Sequence, residues 1–93
     1  MNEKAHFKFR LYVAGDAANS LQAVANLNAV CREHLPERHE IEIVDVLREP
    51  QRALDEAVFL TPMLVKLSPA PVSKVVGSLN QREPLLQALG IST

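Results

Sequence analysis

Three of the chain's six prolines fall between Leu60 and Gly77, among residues that otherwise have the composition of β-strand. Proline has no backbone N–H and belongs at sheet edges, turns or cis bonds. The stretch therefore reads as two short strands, Met63–Leu67 and Val72–Val76, with Pro62 at the entry to the first and Pro69-Ala70-Pro71 connecting them. A hairpin whose geometry depends on proline follows. Only X-Pro bonds bring cis and trans within about 1 kcal/mol, exchanging over tens of seconds, so this segment can hold more than one conformation. Thr61-Pro62, directly before a strand, is expected to be a junction of the cis type.

The chain has 93 residues, 47% of them hydrophobic and only 4% aromatic, so one domain spanning 1–93 with an aliphatic core is expected. Residues 1–5 read as a loose N-terminus. A net charge of -1 without a clustered basic face gives no electrostatic case for nucleic acid or an anionic membrane. No window approaches the roughly eighteen apolar residues of a membrane span, and Met1–Lys8 is too polar for a signal peptide. The lone Cys31 excludes an internal disulfide, a CxxC pair and a multi-cysteine zinc site. A reducing cytoplasm fits.

Along the chain, Phe7, Phe9, Leu11 and Val13 alternate with Lys8, Arg10 and Tyr12, the period of a strand with one well-buried face. Gly15 and Asp16 break it, and Asn19 or Ser20 is expected to cap the next helix. Leu21, Val24, Leu27, Cys31 and Leu35 form one stripe at helical spacing, with Pro36 as the stop. Ile41 to Leu47 predicts a second strand that starts at an edge and ends inside. A strand, a helix and a strand in about 40 residues make a right-handed βαβ unit with parallel strands.

Pro50 suits the first position of a short helix, with Ala53, Leu54, Ala57 and Val58 expected to face inward. After the hairpin, Asn80 and Glu83 have the spacing of a capping box, although Pro84 conflicts with a helix starting there. Leu85, Leu86 and Leu89 form its buried side and Gly90 its end. The predicted order is βαβαββα.

Few residues suggest chemistry. Cys31 and His34 are neighbours on the first helix, but two ligands make no stable metal site. No catalytic residue, cofactor site or metal site is assigned. Asp45 stands between two valines, and such an acid is expected to accept hydrogen bonds from nearby backbone amides. Lys66 and Lys74 interrupt the hairpin strands, where lysines either protect an edge or meet a partner. Gly15 and Gly77 read as turn glycines with positive φ.

A βαβ unit, a helix, Thr-Pro before a strand, a hairpin and a closing helix resemble the thioredoxin-like order. The CxxC position is occupied here by Gly15-Asp16-Ala17-Ala18-Asn19-Ser20. A redox enzyme of this fold would have to use Cys31, about ten residues too late and on a buried stripe. A narrower resemblance is carried by Leu11-Tyr12-Val13-Ala14-Gly15, Asn19-Ser20, Val44-Asp45-Val46-Leu47, Pro50-Gln51, Thr61-Pro62, Pro71-Val72, Val76-Gly77, Leu79 and Arg82-Glu83. In this order and spacing they resemble the KaiB circadian-clock family, as a divergent, non-cyanobacterial member.

The resemblance implies a metamorphic α/β protein. Its C-terminal half, from about Leu47 on, adopts either the thioredoxin-like order or a ground-state βαββααβ arrangement in a homo-oligomer, a tetramer or dimer. Thr61, Pro62, Pro69, Pro71, Gly77 and Ser78 form the expected fold-switch region. Replacing its prolines is expected to change the rate of partner binding more than its extent. The partner implied is a KaiC-like ATPase ring, bound by a non-enzymatic regulator in clock or clock-derived stress signalling, with Glu40, Glu42, Lys66 and Lys74 as candidate contacts. A kinase-linked stress adaptor is the other non-enzymatic alternative. Ser78, Ala70, Ser73 and Glu42 depart from the cyanobacterial pattern, and Glu42 replaces a lysine typical there.

Overall fold

The computed structural model describes residues 5–91, and these form β1 (Phe7–Val13), α1 (Ala18–His34), β2 (His39–Asp45), α2 (Pro50–Asp55), β3 (Met63–Ser68), β4 (Ser73–Val76) and α3 (Arg82–Leu89). The order is the βαβαββα of the sequence pattern. Of the expected loose end, residues 1–4 lie outside the described residues, and Ala5 packs against the core.

The sheet has the order β2-β1-β3-β4. β2 runs parallel to β1, as a strand reached through a helical crossover must, whereas β3 and β4 run antiparallel to their neighbours. α1 and α3 cover one face, where Phe7, Phe9, Leu11 and Val13 meet Leu27, Val30 and Cys31 of α1 and Leu85, Leu86 and Leu89 of α3. α2 covers part of the other face over Tyr12, Val44, Met63 and Val65. Alternation along β1 thus feeds two cores, and even Tyr12 is fully buried.

Several local expectations change. β2 is an edge strand along its whole length, with neighbours on one side only, so Ile43 remains 44% exposed. It ends at Asp45, leaving Val46 and Leu47 in the turn that follows. The inward stripe of α1 is Ser20, Ala23, Leu27, Val30 and Cys31, and Leu21 is exposed. α1 starts at Ala18 without a side-chain cap, so neither Asn19 nor Ser20 caps it. The hydroxyl of Ser20 instead accepts the N–H of Ala14 at 3.1 Å, tying the helix back to the end of β1.

Pro50 occupies the first turn of α2 as expected, but the helix is only six residues long. Ala53 and Val58 face the core, while Leu54 is exposed and Ala57, at φ 56, turns outward. α3 begins at Arg82 after Gln81 with no side-chain cap, so the Asn80–Glu83 box does not form. Pro84 falls at the third helical position, where its missing N–H costs no intrahelical bond. The helix ends at Gly90 in the left-handed conformation at φ 72.

Candidate functional site

The C-terminal ends of β1 and β2 and the start of β3 meet at one end of the sheet, and the connecting loops there are held by side chains. Oδ1 of Asp45 accepts the N–H of Gly15 at 3.0 Å and that of Leu47 at 3.0 Å. This is the amide-accepting role expected of an acid at a strand end. Gly15 has φ 57, a conformation that favours glycine, and a Cβ there would approach the exposed side chain of Leu47 to 3.3 Å. The β1–α1 loop, where a thioredoxin would carry its cysteines, is closed by these contacts.

Thr61-Pro62 is cis, as are Ser68-Pro69 and Ala70-Pro71. Pro62 is buried and its carbonyl accepts the N–H of Gly77 at 2.9 Å, closing the β3–β4 pair. Gly77 has φ 119, in keeping with a turn glycine. The carbonyl of Ser78 accepts the side-chain amide of Asn26 at 2.8 Å, which links this region to α1. Thr61, Pro62, Gly77 and Ser78 therefore cluster at one end of the hairpin, and Pro69 and Pro71 lie at the other.

The four candidate contact residues are not brought together. Glu40 and Glu42 lie on edge strand β2, where Glu40 faces His6 at 3.1 Å. Glu42 is gripped from two sides, by Arg52 of α2 at 2.9 Å and Arg10 of β1 at 2.8 Å. These hydrogen bonds, that from Arg52 first, hold its carboxyl down at about 2. Lys74 is exposed on edge strand β4. Lys66 is 4% exposed, because β3 is an interior strand rather than an edge and this residue faces α3. Its ammonium donates to the Leu89 carbonyl at 3.1 Å, so in this fold its charge is not on the surface.

Sequence patterning missed a different surface. Leu47, Leu54, Phe59 and Leu60 are 70%, 64%, 78% and 62% exposed, all within the connection from β2 to β3. A helix of six residues cannot turn every apolar side chain of that connection inward. The available signal was the count of apolar residues there against the length of helix that Pro50 and Thr61-Pro62 leave room for. Four large apolar side chains left exposed in one short connection are a feature that the packing within this chain does not use.

Cys31 is fully buried, and burial pushes its thiol up to about 11, so it offers no thiolate at neutral pH. No group of three potential metal ligands occurs among the described residues. No helix there is long and apolar enough to cross a membrane.

Fold and loop chemistry together define a thioredoxin-like protein without thiols at the thioredoxin position. Solved structures agree on the fold. The N-terminal domain of Synechococcus elongatus SasA superposes with a TM-score of 0.74 at 19% identity, covering 97% of this chain and 89% of that one. Fasciola hepatica thioredoxin gives 0.73 at 16% identity, covering 94% and 81%. At the sequence level, residues 10–91 match the family model described as the KaiB domain. The circadian clock protein KaiB3 of Synechocystis sp. is 40% identical over 82 residues, 88% of this chain and 80% of that protein. The circadian clock oscillator protein KaiB of Cyanothece sp. is 35% identical over 88 residues, covering 95% and 84%. The chain belongs to the KaiB family.

Proposed function

We propose that this protein is a non-enzymatic clock-type regulator that binds a KaiC-like ATPase ring through the thioredoxin-like form described above. The observation that carries the reading is the family match over residues 10–91, which includes the whole sheet from Arg10 onward and all three helices among the described residues. Two features support it. The one thiol is buried and pushed up to about 11, which speaks against redox chemistry. The exposed Leu47, Leu54, Phe59 and Leu60 supply an apolar surface for a protein partner. Glu40, Glu42 and Lys74 flank the sheet as polar contacts, and Lys66 becomes available only in an arrangement that turns it outward.

The proposal extends to a second arrangement of the C-terminal half, βαββααβ in a cytoplasmic homo-oligomer, with residues 61–78 as the segment that changes pairing. In clock-derived stress signalling the same binding would operate without a rhythm. The test is to incubate purified protein for many hours with the KaiC homologue of its own organism, wild type and phosphomimetic, and to measure mass in solution. A ring-sized complex containing both proteins is expected. Absence of any complex with either form would overturn the reading.

A further inference from the structure

Lys66 is the one basic or acidic side chain buried among the described residues. An ammonium removed from water is strongly unfavourable unless its donors are met, and an apolar residue of similar length would avoid that cost. What lysine adds here is a link between elements distant in sequence. From β3 its Nζ reaches the carbonyl of Leu89, the last residue of α3, at 3.1 Å, and lies 5.9 Å from the centre of the Phe7 ring.

Two carbonyls of the last turn of α3 are met from within the chain. The N–H of Gly90 bonds the carbonyl of Gln87, and that of Ile91 bonds the carbonyl of Leu86. The carbonyl of Leu89, among the last four that a helix leaves without intrahelical donors, accepts from Lys66 outside the helix. No basic residue stands in the helix's own last turn, so the cation that answers its negative end comes from the sheet. Gly90 leaves room, since even a Cβ there would stand 3.7 Å from Nζ.

We propose that Lys66 is a charge-dependent pin that holds α3 on the sheet and sets how readily this helix leaves it, independently of the β1–α1–β2 unit. The pin joins β3 to α3, and the Phe7 ring of β1 stands beside it. It is a positioning residue, and it holds whichever partner the protein binds. Losing the ammonium therefore loosens α3 first.

Two measurements on the full chain test this. In wild-type protein labelled with 15N and 13C, a scalar coupling across the hydrogen bond is expected between Nζ of Lys66 and the carbonyl carbon of Leu89. Its absence, with Lys66 ammonium protons exchanging as fast as those of exposed Lys74, would overturn the proposal. In hydrogen exchange, Lys66→Met is expected to speed the amides of Leu85–Ile91 at least tenfold relative to those of β1. Lys66→Arg, which keeps a cationic donor, is expected to restore part of that protection. A Lys66→Met protein in which α3 and β1 exchange rise together, or not at all, would also refute the pin. If that variant does not fold, the wild-type coupling alone decides.

Discussion

One carboxylate oxygen of Asp45 satisfies the amides of two different loops, and Asp45 is the residue on which the end of the sheet depends. Truncation leaves the partly buried N–H of Gly15 without an acceptor and hands the exposed N–H of Leu47 to water. Asp45→Ala is expected to lower stability by about 1–3 kcal/mol, and Asp45→Asn, which keeps an oxygen in place, by clearly less, measured as urea midpoints. Glu42 makes a separate prediction. Its two arginines pull the folded carboxyl from its ordinary 4.5 down to about 2. Stability from this contact is therefore complete above pH about 4.5 and lost as pH falls through about 2. Glu42 itself is about half exposed, so solvent screening keeps the contribution small. Glu42→Gln should flatten the stability curve in that window alone. Asp45 was legible in the sequence because an acid between two valines must be paired. The Glu42 clamp was not, since it needs the parallel register that sets Arg10 beside Glu42 and the position of α2.

At the scale of elements, α1 shows what periodicity can and cannot fix. Its existence and its end before Pro36 followed from spacing, but the exact inward face is set by how the helix packs on the sheet. Of the expected stripe, Leu27, Cys31 and Leu35 are buried and Val24 packs partly against the core, while Leu21 is exposed and Ala23 and Val30 complete the face. Leu27→Ala should cost about 2–5 kcal/mol, because the side chain is fully buried between sheet and helix. Leu21→Ala should stay within about 0.5 kcal/mol, because its side chain faces solvent. Equal urea midpoints for the two variants would restore the original stripe. Strand identity was legible throughout, while edge against interior was not. Position in a sheet is decided by which strands pair, and no local pattern in Met63–Ser68 or His39–Asp45 reports that.

For the whole molecule, the exposed apolar connection and the pinned C-terminal helix lie in the half that follows β2. A Phe59→Ser, Leu60→Ser double variant is expected to keep the wild-type urea midpoint within about 1 kcal/mol, since both side chains already face solvent. It should bind the proposed ATPase partner at least tenfold more weakly, read by titration after long incubation. Unchanged binding would move the contact surface elsewhere. Within the sheet, the two halves are joined by a single strand pair, β1 with β3, from Lys8↔Ser68 to Tyr12↔Met63 with a register break between Lys8 and Phe9. Seen from β1, the C-terminal half occupies the place of a tethered ligand. Its hold is a competition, governed by the effective concentration that the connection from Asp45 to Met63 maintains. A free strand that complemented Phe9–Tyr12 would have to outcompete β3 for the same edge, at a concentration set by the length of that connection.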